Sequence, residues 1–391
     1  MKREVGERGS RARRGAAALA AVATILLALP WLALSGCAVR VPRSLTVSIP
    51  APAGKLEGAL YLPDGRGPHP GVVIVGGAYH DSRLDYVSDA RFLASHGIAV
   101  LTYDKRGTGG SDGRLAEASF DHLAFDAAAA ARYLRARAEV DSTRVGLWGV
   151  GEGGWVAPLA AVYDSVATFL VLVSAPVVSP LDQLSYQRTE ELAARGMKRT
   201  DAEAQTRLRR RIWEFWMAPP GSGTTSSDSL RRAFEAATKR PWFAAAVESR
   251  DLPETLIPDE GMGAVNHPAR AWLAKDMPAF WSLRHDPIGI LERVRVPILA
   301  IYGDQDRDVP VVESVVNFQA ALGRAYNRRG IIRPFRGADH ALNVRSGPGL
   351  LAKVEPAPGY RDTVVAWLGR VAGAGAARAV TAPDSRASSP R

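Results

Sequence analysis

The sequence has 391 residues, of which 47% are hydrophobic and 23% charged. These values exclude a disordered or fibrous chain and leave either two domains or one large α/β domain with an insertion. The formal charge of +10 invites a nucleic-acid reading, but residues 1–36 hold six basic and two acidic side chains and so carry +4 of it. No helix-turn-helix, zinc-finger or RNA-binding signature is present, so a nucleic-acid partner is not expected.

Residues 1–36 read as a secretory signal. A basic stretch ending in Arg13-Arg14 precedes an apolar run from Gly15 to Leu34, and Leu34-Ser35-Gly36-Cys37 follows. Small residues before a cysteine admit the lipoprotein peptidase, and the freed Cys37 thiol accepts a diacylglycerol. The apolar run is also long enough to stay as an uncleaved anchor. Cys37 is the only cysteine, and with no partner for a disulfide a lipidation role explains it best. The expectation is a bacterial cell-envelope protein held to the membrane by lipid, and Arg13-Arg14 also fits twin-arginine export.

Beyond Cys37, Leu45–Pro63 alternates apolar and polar residues, which predicts two half-buried strands joined through Ala53-Gly54. Continuous apolar runs follow at 71–77, 97–104, 144–150, 168–176 and 296–304. Such runs predict parallel strands buried on both faces. Helical stretches lie between them, at Tyr86–Ser95, Phe120–Ala136 and Trp155–Ala161. Strand and helix in alternation predict an α/β fold with a doubly wound, mostly parallel sheet.

The alternation stops between Leu181 and Glu292, where helical periodicity takes over with Trp213, Trp216, Trp242, Trp272 and Trp281, interrupted at Gly221–Ser227. Because a strand-like run resumes at Val296, this segment predicts a helical cap inserted into one core rather than a second domain. The core then comprises 37–180 and 293–371, with 181–292 as the cap. The basic run Arg209–Arg211 falls on a predicted helix and reads as a solvated face. Residues 372–391 are small, polar and proline-containing, the composition of a disordered tail.

Parallel sheets place chemistry at the C-terminal ends of their strands. Three turns stand there: Gly149-Val150-Gly151-Glu152-Gly153-Gly154, the acidic turn Gly303-Asp304-Gln305-Asp306-Arg307-Asp308, and Gly337-Ala338-Asp339-His340. The glycines of the first suit a strained strand-turn-helix elbow.

With these turns, the segment Asp104-Lys105-Arg106-Gly107-Thr108-Gly109-Gly110-Ser111, and the turn after Val75, the chain resembles the α/β-hydrolase fold family, in particular bacterial esterases and serine aminopeptidase-like members. The resemblance runs from about Leu45 to Gly369. It implies that His340 is the general base, that Asp306 orients it, and that the backbone amides of Ala78 and Glu152 form an oxyanion hole. Asp304 and Asp308 are rival acids. At the nucleophile position the family has serine and this chain has Gly151, which accepts positive φ but cannot attack a carbonyl. After Val75 the family's usual His-Gly is replaced by Gly76-Gly77, followed by Ala78-Tyr79-His80. His80, Asp81 and Ser82 are near enough in sequence to offer a substitute nucleophile, although ordinary loop polarity accounts for them. Asp104 and Arg106 read as braces between loops.

Two expectations follow. One is an ester- or amide-bond hydrolase whose activity is weak, water-mediated or absent. The other is an inactive relative binding a hydrophobic small molecule beneath the cap. The histidines His69, His80, His96, His122, His267, His285 and His340 show no paired ligand spacing, so no metal is expected. No nucleotide-binding glycine signature is present, so no cofactor is expected.

Overall fold

A strand covered on both faces must be apolar at successive positions, and the central strands obey this rule. In the computed structural model, which describes residues 43–78, 81–217, 227–248, 282–347 and 353–373, strands β3 (His69–Val75), β4 (Ala99–Tyr103), β5 (Val140–Val150), β6 (Leu170–Val173), β7 (Ile298–Gly303) and β8 (Gly330–Phe335) run parallel. The hairpin of β1 (Arg43–Ala51) and β2 (Gly54–Leu62) joins this sheet by antiparallel pairing of β2 with β4. The order across the eight strands is β1-β2-β4-β3-β5-β6-β7-β8. A separate antiparallel pair, β9 (Asn343–Ser346) and β10 (Lys353–Pro356), follows.

Alternate residues of each strand face opposite cores. Val73, Val75, Leu101, Leu147, Ala300 and Tyr302 pack on one side with helices α2 (Phe120–Arg135), α3 (Gly153–Asp164) and α9 (Val311–Arg324). Val72, Ile74, Val100, Val171, Leu299 and Ile301 pack on the other with α1 (Val87–Ser95) and α10 (Tyr360–Val371). The sheet is therefore wound on both faces. Helix α2 starts at a capping box in which the Ser119 hydroxyl accepts from the His122 N–H, and its buried alanines, Ala124, Ala127, Ala128 and Ala131, bring it close to the strands.

Two differences from the sequence reading have clear causes. Strand β2 is buried over Ala59–Leu62 rather than half-exposed, because it lies inside the sheet with Leu60 and Leu62 in one core and Ala59 and Tyr61 in the other. The late strand before His340 has no apolar run to give its range: β8 is an edge of the sheet, every position is at least partly exposed, and Arg333 and Pro334 interrupt its apolar residues.

Between β6 and β7 the chain leaves the sheet through α4 (Pro180–Ala194), α5 (Arg199–Met217), α6 (Ser227–Thr238) and α7 (Phe243–Glu248), and it returns through the short α8 (Pro287–Leu291). Strand β7 then pairs directly with β6, in register Leu170↔Ile298. Helices α4 to α7 have a core of their own built on Leu208, Ile212, Trp216, Leu230 and Trp242. The basic run lies on α5, where Arg210 ion-pairs with Asp182 and Glu214 and Arg211 is exposed. Among the described residues no helix is long and apolar enough to cross a membrane. The expected signal segment 1–36, Cys37, Trp272, Trp281, most of the Gly221–Ser227 break and most of the tail lie outside the described residues.

Candidate active site

The turn between β5 and α3 is made by glycines with different reasons to be glycine. A Cβ on Gly149 would stand 2.2 Å from the Gly153 carbonyl oxygen, one on Gly153 2.1 Å from that of Val75, and one on Gly154 2.2 Å from the Ala175 methyl. All three approaches are impossible for a side chain, so the helix can follow the strand this tightly only with glycine there. Gly151 differs. Its φ of +50° is left-handed, but a Cβ there would meet nothing closer than His340 Nε2, at 3.3 Å. A side chain at position 151 is aimed at an imidazole, which has to yield only a few tenths of an ångström to admit it.

That imidazole comes from the turn between β8 and β9. His340 Nδ1 lies 2.9 Å from Asp306 Oδ2. A carboxylate only accepts, so Nδ1 carries the proton, and the neutral ring presents its Nε2 lone pair toward Gly151. Asp306 sits just beyond β7, its side chain fully buried, with Oδ1 accepting the N–H groups of Asp308 at 2.8 Å and Val309 at 3.0 Å. Burial depresses the imidazole pKa, but the Asp306 hydrogen bond and the charges of Asp306, Asp308 and Asp339 outweigh it, so His340 titrates above its ordinary value. The Ser174 hydroxyl, at the end of β6, donates to the His340 carbonyl at 2.7 Å and steadies the turn.

The rival acids are occupied elsewhere. Asp304 accepts the Gly337 N–H at 2.7 Å, and Asp308 accepts from the Gln187 amide at 3.2 Å. Gln187 belongs to α4, whose Gln183 and Tyr186 also donate to the carbonyls of Asp308 and Asp306. The first helix after β6 is thereby fastened to the acid turn. Ligand atoms of Asp306, Asp308 and His340 lie within 4.8 Å of one another, a spacing that a small cation would fit. Asp306, however, already commits Oδ1 to two backbone donors and Oδ2 to the imidazole.

Ala78 follows β3, and Glu152 is the N-cap residue of α3. Of the loop residues weighed as substitute nucleophiles, His80 lies outside the described residues. Asp81 accepts from the Gly77 N–H at 2.8 Å and the Tyr86 hydroxyl at 2.5 Å, and Ser82 Oγ accepts from Leu84 N in a local turn. Asp104 pairs with Arg83, and Arg106 forms a two-pronged pair with Asp126 at 2.6 and 2.7 Å. Sequence reasoning gave no role to Lys105, which is 5% exposed; its ammonium donates to Glu152 Oε1 at 2.8 Å and to the Gly77 carbonyl.

The strand order, with antiparallel β2 and an elbow after β5, can be set beside known proteins. Residues 67–255 match the family model for serine aminopeptidase, S33. A hypothetical protein from Pseudomonas aeruginosa superposes with a TM-score of 0.50 at 20% identity, over 84% of this chain and 94% of that one. The chain has the α/β-hydrolase fold. DcsB, solved with its substrate analogue, has a similar fold, with a TM-score of 0.50 at 18% identity over 86% and 100% of the two chains. At these identities the likeness is one of fold.

Sequence relatives include the polyketide transferase claH of Penicillium crustosum, 31% identical over 134 residues, and the thiohydrolase aneE of Aspergillus aculeatus, 31% identical over 120 residues. The alignments cover 34% and 30% of this chain, and the chain spans only 43% and 37% of those two proteins.

Proposed function

We propose that this hydrolase-fold protein acts on carboxylic ester or amide bonds through a water molecule activated by His340. The observation that carries the reading is the pairing on both sides of one imidazole: Asp306 at 2.9 Å from Nδ1, and the side-chain position of residue 151 at 3.3 Å from Nε2. In this reading a water takes the part of the family serine's hydroxyl. His340 Nε2 takes one proton from that water as its oxygen attacks the carbonyl carbon. The amides of Ala78 and Glu152 hold the resulting oxyanion. When the tetrahedral species collapses, the imidazolium returns the proton to the departing alcohol or amine, and Asp306 stabilises the charge on the ring meanwhile. Loss of a triad nucleophile costs on the order of 10⁴ to 10⁶ in rate, so turnover is slow.

A second reading rests on the same glycine. Without a hydroxyl at 151 the pocket holds a hydrophobic small molecule and does not turn it over. Trp216 and Trp242 are buried within the helical insertion's own core, which leaves them little part in such a pocket and favours the first reading. In either case the lipobox at Cys37 supports a lipid-anchored place at the bacterial cell envelope.

Hydrolysis of p-nitrophenyl butyrate separates the two. Under the first reading the parent protein turns it over slowly, and His340→Ala and Asp306→Asn each bring the rate to background. A parent rate no higher than that of folded His340→Ala leaves only the binding reading.

A further inference from the structure

Lys105 stands in the turn after β4, and its buried ammonium reaches between the two arms of the site. One arm is the turn after β3, where it donates to the Gly77 carbonyl; the other is the elbow, where it donates to Glu152 Oε1 at 2.8 Å. The Gly77 carbonyl and the Ala78 N–H belong to one planar trans peptide, so they point in opposite directions and move together. A cation on the carbonyl withdraws electron density from that peptide, which makes its N–H a stronger donor and fixes the plane. The preceding peptide is held too, because the Gly77 N–H donates to Asp81 at 2.8 Å and to the Tyr86 hydroxyl at 2.9 Å. Taking an ammonium out of water is costly even when a carboxylate accompanies it, so an ion pair placed here is poorly explained by stability alone.

We propose that Lys105 is a positioning residue for the oxyanion hole: its ammonium orients and polarises the Gly77–Ala78 peptide and ties it to Glu152, whose backbone supplies the other N–H. This rests on the assignment of the hole to Ala78 and Glu152 made above. An ion pair that merely braces two loops would leave the donor strength of Ala78 unaffected.

The test compares lysine, methionine and arginine at 105, each with glycine and with serine at 151. With Gly151 in place, the amide spectrum is the readout: Lys105→Met moves the Ala78 amide proton upfield, and Lys105→Arg keeps it near the parent position. In the Gly151→Ser background, a fluorophosphonate labels the serine through an oxyanion-like transition state. There Lys105→Met slows labelling about tenfold or more without changing the saturating probe concentration, and Lys105→Arg restores most of the rate; loss of a whole oxyanion donor costs roughly 10² to 10³. If Lys105→Met alone is unstable because Glu152 loses its partner, Lys105→Met combined with Glu152→Gln takes its place. An Ala78 resonance unmoved in a folded variant overturns the proposal, as does a labelling rate indifferent to residue 105. Should Gly151→Ser never be labelled, the reading under Proposed function fails, and the Ala78 shift alone decides this one.

Discussion

His340 Nε2 stands 3.3 Å from where a Cβ on Gly151 would be, so a serine at 151 would set its hydroxyl against the imidazole. Gly151→Ser is therefore expected to gain fluorophosphonate labelling and ester hydrolysis well above the parent, and a second change, His340→Ala, to abolish the gain. Serine must accept φ near +50°, at a stability cost of about 1–2 kcal/mol. The base must be neutral to act, and His340 titrates above its ordinary 6.5. The gained activity should therefore rise with pH through a midpoint above 6.5. A folded variant that stays inert, or a midpoint below 6.5, would show that His340 is not poised as described.

The elbow glycines separate space from backbone conformation. Gly154→Ala would drive a methyl to 2.2 Å from Ala175, so it is expected to prevent folding or to cost about 1–3 kcal/mol or more as overpacking. Gly151→Ala meets nothing closer than 3.3 Å, so it carries the left-handed penalty and a small shift of the His340 ring. Urea unfolding of the two variants should rank them in that order, and a reversed order contradicts the packing described.

His285 packs edge-on against Phe120, with its Nε2 buried and without a hydrogen-bond partner among the described residues. Burial pushes its pKa down to about 4, against the opposing charges of Asp286 and Asp121. The unfolded chain therefore binds this proton more readily, so stability is full above about 6.5 and falls as pH drops from there toward 4. His285→Phe removes the proton site and keeps a ring. Urea unfolding should show the parent losing up to ~3 kcal/mol more than the variant over that window. Parallel losses in the two proteins would show that His285 is hydrated in the fold.

Cys37→Ser should leave the precursor unprocessed by the lipoprotein peptidase and shift the protein out of the detergent-soluble membrane fraction. Unchanged processing and fractionation would remove the lipid anchor from the description.

Much of the fold was legible because its strands are buried on both faces. Runs such as Val72–Val75 and Ile298–Tyr302 have no other use in a water-soluble domain, and they mark the strands to within a few residues. The glycines at 149, 153 and 154 were likewise visible as a turn. Edge strand β8 left no comparable trace, since an exposed edge tolerates Arg333 and Pro334. Neither did Lys105, because nothing along the chain brings it near Gly77 and Glu152.

What the sequence by itself determined is the order of elements and the absence of a hydroxyl at 151; the first follows from local burial patterns and the second from residue identity alone. The family resemblance named Asp306 as the acid that meets His340, but composition and local pattern alone do not separate it from Asp304 and Asp308 in the same turn. Tertiary structure decided it by aiming side chains. Backbone donors from Asp308 and Val309 hold Asp306 inward against the imidazole, Gly337 draws Asp304 away, and α4 engages Asp308 through Gln187. The Asp308 and Val309 donors are local to the turn, but His340, Gly337 and Gln187 lie 34, 33 and 121 residues from the carboxylates they engage, and no local pattern records those meetings.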